Sequence, residues 1–191
     1  GAPSAAPDRY MVRPSSTTSI DVLLNDSDPD ADALTLVSVG APVDSNGRPV
    51  AGAASNIGSG QVQVSVPNMT GTVIVPYAVA DAYNATSSST LTLSVVNSAP
   101  VAQDDAATVH PKRTISIDVL ANDSDPEGDP ISLVSVGAPV DENGTVLADV
   151  SAGIIDGKVH VSVPSGQHAT IHVPYTIKDS FGATSQGNAN I

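Results

Sequence analysis

Two stretches of closely spaced carboxylates are the residues of this chain whose types and spacing could do chemistry. Acidic residues alternate with other residues at positions 26–32 and again at positions 123–129. No lysine or arginine occurs between positions 15 and 47, or between 114 and 157, to balance these charges. Carboxylates about 4 Å apart repel one another by about 1 kcal/mol per pair in water. The pattern therefore predicts a bound divalent cation.

Calcium is the cation that such ligands favour. Ca²⁺ takes six to eight oxygen ligands, whereas Mg²⁺ keeps most of its waters. Zn²⁺ prefers cysteine or histidine, and neither acidic stretch contains one. The spacing from Asp26 to Asp30 is similar to the start of an EF-hand, but the twelfth positions are Val37 and Val134 instead of glutamate. The alternative left open is a solvated loop in which aspartate side chains cap the backbone.

The second acidic stretch belongs to a repeat of the first. Residues 19–44 and 116–141 are identical at 20 of 26 positions without a gap, at an offset of 97. A period of this length suits an independent domain better than a solenoid repeat. We therefore predict two domains, residues 1–97 and 98–191, joined by a short linker that Pro100 stiffens.

Composition favours an all-β protein held together without disulfides. There is no cysteine and no tryptophan, and 15 glycines and 15 prolines supply turns between segments rich in valine and threonine. The net charge of −13 argues against a nucleic-acid partner, because neutralising phosphates requires lysine and arginine. No apolar run approaches the roughly 20 residues that span a bilayer, so we expect no membrane insertion.

Hydrophobic residues alternate with a period of two, which predicts strands that bury one face. The predicted fold is two tandem Ig-like (cadherin-like) β-sandwiches of seven strands each. A change in the buried set between Leu133 and Val134 predicts a β-bulge. The strands predicted in the second repeat lie near 107–109, 114–120, 131–136, 145–150, 158–163, 170–177 and 184–191.

Strand direction predicts where the carboxylates meet. If all seven strands alternate in direction, the loop after the second strand, the turn after the sixth and the start of the first lie at one pole of the domain. The acidic residues of this pole in the second repeat are Asp104, Asp105, Asp123, Asp125, Glu127, Asp129 and Asp179. Those of the first repeat are Asp8, Asp26, Asp28, Asp30, Asp32 and Asp81.

Three segments of the second repeat carry a resemblance to a known family. They are APVAQDD at 99–105, DVLANDSDPEGD at 118–129 and YTIKDSFGATS at 175–185. They resemble the cadherin-like and Ig-like tandem repeats of large bacterial surface proteins and adhesins. The resemblance implies calcium at or near module junctions, with Asp105, Asp123, Asp125, Asp129, Asp179 and also Asp104 as ligands. By position, it extends in the first repeat to Asp8, Asp26, Asp28, Asp32 and Asp81.

The same resemblance implies a function. It indicates an extracellular segment of a longer polypeptide, a rigid extender whose partners are the neighbouring repeats. In the first repeat Pro7, Ala31 and Tyr83 replace Asp104, Gly128 and Phe181, so we expect a weaker metal site there.

The alternative function is a calcium-dependent module that recognises a host or cell-surface protein or glycan, or adheres to copies of itself. One phenylalanine and four tyrosines offer few rings for stacking on sugars. We expect no enzyme, because no Ser-His-Asp set recurs in both repeats and no glycine-rich phosphate loop occurs. Tyr77 and Tyr175 are predicted to be buried, with hydroxyls bonded to the backbone.

Overall fold

The computed structural model describes residues 1–165 and 170–191. The chain divides into two compact units, Gly1–Asn97 (unit 1) and Ser98–Ile191 (unit 2). Among the described residues, each unit has seven strands and one short 3₁₀ helix. In the same residues there is no helix with the length and hydrophobicity required to span a bilayer.

Unit 1 is a sandwich of a four-stranded and a three-stranded sheet. The sheet orders are β1-β7-β6-β3 and β2-β5-β4. β1 pairs in parallel with β7, and every other pairing is antiparallel. The 3₁₀ helix, Val22–Asn25, follows β2. The strands are β1 Asp8–Val12, β2 Thr17–Ile20, β3 Thr35–Val39, β4 Ala54–Gly58, β5 Gln61–Ser65, β6 Gly71–Ala80 and β7 Thr86–Val95.

Unit 2 repeats this topology, with sheets β10-β13-β14-β8 and β11-β12-β9. The predicted all-β, Ig-like sandwich is therefore confirmed. The predicted bulge is also confirmed, since the register shifts between Leu133 and Ser135. The strands are β8 Asp105–Ala106, β9 Arg113–Ile117, β10 Ser132–Val136, β11 Ser151–Ile155, β12 Lys158–Val163, β13 His172–Lys178 and β14 Thr184–Asn190.

The alternating residues form one aliphatic core in each unit. In β5, Val62 and Val64 are buried, and in β12 Val159 and Val161 are buried, as the period of two predicted. Full burial of such a side chain contributes roughly 1.5–3 kcal/mol. The sixth strand of each unit adds a second buried row, which is Val73, Val75, Tyr77 and Val79 in unit 1 and Val173, Tyr175 and Ile177 in unit 2.

The fourth strand of unit 2 is not where the sequence predicted it. Residues 145–150 contain a turn, and β11 begins at Ser151. The Asp141 carboxylate accepts hydrogen bonds from the backbone nitrogens of Asn143 (2.9 Å) and Thr145 (2.8 Å). Leu147 N then donates to Pro139 O at 2.9 Å, so the chain folds back before it becomes extended.

Two other strand predictions were also inaccurate in unit 2. The first strand is β8 instead of residues 107–109, because its parallel partner β14 ends at Asn190, opposite Ala106. The second strand ends at Ile117 instead of Leu120, because the chain turns into the 3₁₀ helix Val119–Ala121. This helix leads directly into the acidic residues of the loop.

Candidate metal centre

Two loops of each unit carry the acidic residues. We call residues 26–32 and 123–129 the acidic loops; each lies between the 3₁₀ helix and the third strand of its unit. The second element is the turn between the sixth and seventh strands, residues 81–85 in unit 1 and 179–183 in unit 2. These elements are distant in sequence, and the sandwich topology brings them together.

Three carboxylates from these two elements form a cluster in each unit, which we call the outer triad. In unit 1 it is Asp28, Asp32 and Asp81, and one oxygen of each lies within 4.8 Å of the others. In unit 2 the equivalent residues are Asp125, Asp129 and Asp179, with the same limit on their separations. The structure therefore repeats one carboxylate arrangement in both units.

Hydrogen bonds to the backbone of the acidic loop orient the side chains of Asp28 and Asp125. Asp28 Oδ1 accepts hydrogen bonds from Asp30 N (2.8 Å) and Asp32 N (3.3 Å). Asp125 Oδ1 does the same with Glu127 N (2.9 Å) and Asp129 N (3.1 Å). Each aspartate thus caps its own turn, which is the solvated-loop alternative left open by the sequence. These capping hydrogen bonds use only Oδ1 of Asp28 and Oδ1 of Asp125.

The other oxygen of each capping aspartate is buried and has no hydrogen-bond partner. This is true of Asp28 Oδ2 and of Asp125 Oδ2. A buried acceptor without a donor typically costs about 1–3 kcal/mol, and more when it is charged. A cation bound at the outer triad would remove that cost.

The third member of each triad is the most buried. Asp81 is 6% exposed and Asp179 is 2% exposed. Asp81 Oδ1 accepts hydrogen bonds from Tyr83 N (2.8 Å) and Ala85 N (2.9 Å), so it is held rigidly by its own turn. Asp179 Oδ1 accepts from Phe181 N (2.8 Å) and Ala183 N (2.9 Å) in the same way.

The outer triad fits calcium by its donor set and by its dimensions. Two oxygens bound to one Ca²⁺ at 2.3–2.6 Å lie at most about 5 Å apart, and the oxygens of each triad meet this limit. Three carboxylates supply three to six of the six to eight oxygens that Ca²⁺ takes. The set contains no histidine and no cysteine, so zinc is disfavoured.

Four of the five remaining predicted ligands form a separate group in each unit, the inner pair, which is Asp8 with Asp26 in unit 1 and Asp105 with Asp123 in unit 2. Tyr77 Oη lies 2.8 Å from Asp8 Oδ2 and 2.7 Å from Ala6 O. Asp26 Oδ1 accepts a hydrogen bond from Ala6 N at 2.7 Å. Among the described residues, neither inner pair joins the cluster of its outer triad.

The inner pair of unit 2 also lies beside a tyrosine hydroxyl, which here approaches the acidic-loop aspartate, Asp123. Tyr175 Oη donates to Gln103 O at 2.8 Å and lies 3.4 Å from Asp123 Oδ1. Tyr77 and Tyr175 are 2% and 1% exposed, which confirms the prediction of buried rings with hydroxyls bonded to the backbone. The contact of these hydroxyls with carboxylates was not predicted. The sequence signal for it was the aspartate that begins the first strand of both repeats, Asp8 and Asp105.

Burial raises the pKa of every carboxyl group in the inner pairs. For Asp8, burial raises the pKa most, the Tyr77 hydrogen bond lowers it, and the charge of Asp26 raises it again. For Asp105, burial is again the largest cause, and the charges of Asp123 and Asp104 add to it. Burial also raises the pKa of Asp26 and Asp123, although backbone hydrogen bonds oppose it. The inner pairs therefore hold protons more tightly than ordinary aspartates.

Asp104 lies apart from both groups. Its side chain is exposed, and Oδ1 accepts a hydrogen bond from Asn188 N at 2.8 Å. This contact fastens the residue to β14. The structure therefore places Asp104 beside β14, outside the cluster of Asp125, Asp129 and Asp179.

The fold and its acidic loops define the chain as two Ig-like β-sandwich domains in tandem. More specifically, the chain belongs to the bacterial Ig domain family, whose model matches residues 1–94 and 97–191. A comparison with curated proteins found no match.

A comparison with solved structures found, among others, two insect proteins and a protocadherin. The Ig1-2 module of the Drosophila receptor protein tyrosine phosphatase DLAR is 13% identical over 99% of this chain and 98% of its own, with a TM-score of 0.27. The insect immune protein hemolin is 15% identical over 97% of this chain and 44% of its own, with a TM-score of 0.34. Protocadherin gamma B2 is 10% identical over 100% of this chain and 39% of its own, with a TM-score of 0.32. We base the fold assignment on the strand order and the family model.

Proposed function

We propose that each unit binds a calcium ion at its outer triad, and that the chain is a structural extender segment of a large bacterial cell-surface or adhesin protein. The observation that carries the proposal is the triad itself, present in both units with a buried, unpartnered oxygen on Asp28 and on Asp125. The residues that would hold the ion are Asp28, Asp32 and Asp81 in unit 1 and Asp125, Asp129 and Asp179 in unit 2.

Calcium would stabilise each unit by joining two loops that otherwise repel each other. Two of the carboxylates come from the acidic loop and the third from the turn after the sixth strand. Without a cation, each pair of these charges opposes folding by about 1 kcal/mol in water, and by more where water is excluded. A ligand that binds only the folded state at 100 times its Kd adds about 2.7 kcal/mol to the free energy of unfolding.

The repetition of one domain along the chain supports the proposed extender role. Two copies of one domain, each with its own core and its own triad, suit a segment that spans distance and carries load outside the cell. Its partners would be the neighbouring repeats of the same polypeptide.

A second candidate function is calcium-dependent recognition of a host or cell-surface protein or glycan. The observation in its favour is Tyr83, which is 79% exposed and lines a surface cleft together with Asp32 and Asp81 of the outer triad. An exposed ring beside a bound cation is a common platform for a sugar. Glycan-array binding that EDTA and Tyr83→Ala both abolish would support this function over the extender role.

The calcium proposal is tested by the number of ions bound. Calorimetric titration of the calcium-free chain should give two ions, and Asp32→Asn or Asp129→Asn should each remove one while leaving the other unit's site intact. The double variant should bind none. A wild-type chain that binds no calcium, or single variants that bind as the wild type does, would contradict the proposal. Asp104→Asn, which removes a predicted ligand outside the triads, is the matched control and should still bind two.

A further inference from the structure

The acidic loop of unit 2 makes a second set of contacts, with the first residues of its own unit. Residues 98–103, which we call the leading segment, lie alongside the loop. Gln103 N donates to Asp123 Oδ1 at 2.7 Å. Val101 and Ser124 exchange backbone hydrogen bonds of 2.7 and 3.1 Å. The loop therefore holds the leading segment at two successive points.

A third contact lies at the first residue of the unit. Ser98 N donates to Glu127 Oε2 at 3.1 Å, and Ser98 Oγ donates to Glu127 Oε1 at 2.6 Å. One carboxylate thus accepts hydrogen bonds from both donors of Ser98, one at each of its oxygens. Hydrogen bonds to a charged acceptor are stronger than those between neutral groups.

Unit 1 makes the first two of these contacts at the equivalent positions. Ala6 N donates to Asp26 Oδ1 at 2.7 Å, and Ser4 and Ser27 exchange backbone hydrogen bonds. The hold of the acidic loop on the leading segment is therefore a property of the repeat.

The last residues of unit 1 are fastened from within unit 1. Arg13 Nη1 donates to Val96 O at 3.1 Å, and Arg13 Nη2 donates to Asn97 Oδ1 at 2.9 Å. Val96 N also donates to Val12 O at 3.0 Å. The seventh strand ends at Val95, yet the two residues after it remain bound to their own unit.

We propose that Arg13 and Glu127 are positioning residues that keep the boundary segment, residues 96–98, ordered without any need for a cation. Arg13 holds the end of unit 1, and Glu127 holds the start of unit 2. This assigns a role to Glu127, an acidic-loop residue that lies outside the outer triad.

The test is backbone ¹⁵N relaxation of the whole chain, measured in EDTA and again in calcium. In the wild type, the order parameters of Val96, Asn97 and Ser98 should match rigid backbone, near 0.85. Arg13→Ala should lower those of Val96 and Asn97 toward the flexible range below about 0.6, and Glu127→Ala should lower that of Ser98. Ser98→Ala, which removes only the hydroxyl donor, should have a smaller effect.

The matched controls are Arg48→Ala and Glu142→Ala. They make the same changes in charge at exposed positions in the turns that Asp44 and Asp141 cap, and should leave residues 96–98 unchanged. Order parameters below 0.6 at the wild-type boundary, or variants equal to the wild type, would overturn the proposal. These contacts contain no metal, so the measurement in EDTA tests the roles of Arg13 and Glu127 whether or not the outer triads bind calcium.

Discussion

Asp125 Oδ1 accepts a hydrogen bond from Asp129 N at 3.1 Å, while Asp125 Oδ2 is buried without a hydrogen-bond partner. Asp141 caps a turn of the same form, accepting from Asn143 N and Thr145 N, but it belongs to neither outer triad. The two aspartates therefore share a turn geometry and differ in their surroundings. A comparison of variants at Asp125 and Asp141 can therefore separate the effect of losing a capped turn from the effect of losing a proposed metal ligand.

The first prediction uses this pair. Asp125→Ala should lose most of the calcium-dependent rise in the melting temperature of unit 2, whereas Asp141→Ala should keep it. For a domain of this size, each kcal/mol raises Tm by roughly 4–8 °C, so the difference is large enough to measure by calorimetry. In EDTA, Asp125→Ala should be less destabilising than Asp141→Ala, because both variants lose one capped turn but only Asp125→Ala also removes a buried unpartnered oxygen and its repulsion of the other triad carboxylates. An equal calcium response in the two variants would show that the acidic loop is only a turn.

The second prediction concerns pH in the absence of calcium. The pKa values of Asp8, Asp26, Asp105 and Asp123 are raised above the ordinary value of 3.8, so the folded state binds these protons more tightly than the unfolded state. Their contribution to stability is complete below that ordinary value and is lost as the pH rises through the raised values. In EDTA, the free energy of unfolding should therefore increase as the pH is lowered from 7 through the raised pKa values.

A variant is required to assign this pH dependence, because relief of the overall charge of −13 on acidification has the same sign. Asp105→Asn keeps the shape of the side chain and cannot ionise. It should flatten the pH dependence of unit 2 and leave that of unit 1 as it was. Urea unfolding across the pH range measures both; an unchanged slope in the variant would refute the assignment to the inner pair.

The third prediction concerns the close approach of Gly187 to Tyr175. These residues face each other across β13 and β14, and a Cβ on Gly187 would lie 2.5 Å from Tyr175 Oη. Gly187→Ala should therefore displace the ring and cost about 1–3 kcal/mol, as overpacking does in other cores. Gly153→Ala in β11 is the control, since no atom lies within 4 Å of its added Cβ. Equal urea midpoints for the two variants would rule out the contact.

The fourth prediction concerns Ala31, which adopts a left-handed backbone with φ of 59°. Gly128 is the equivalent residue of unit 2, with φ of 79°. An L-residue pays roughly 1–2 kcal/mol in this region, partly offset by the greater flexibility of an unfolded glycine. Ala31→Gly should stabilise unit 1 by up to about 1 kcal/mol, and Gly128→Ala should destabilise unit 2 by a similar amount. Denaturant unfolding of both variants measures these changes, and changes of the same sign would contradict the explanation.

Much of the fold could be predicted because the strands keep a strict period of two. Val159, Val161 and Val163 are buried as that period requires, and the bulge after Leu133 was visible as a change in the buried set. The prediction was wrong at residues 145–150, where a turn closed by the hydrogen bond from Val150 N to Leu147 O follows the turn that the Asp141 side chain caps. Hydrophobic periodicity carries no information about a side chain that bonds its own backbone.

The sequence by itself determined the repeat, the aliphatic core and the concentration of carboxylates at one pole, since each follows from composition and spacing. Only the tertiary structure decided which carboxylates meet. Asp26 and Asp28 are two residues apart, yet Asp26 binds the backbone of Ala6 while Asp28 joins Asp32 and Asp81. In a loop the direction of a side chain is set by local backbone angles and by partners distant in the chain, and neither can be inferred from alternation.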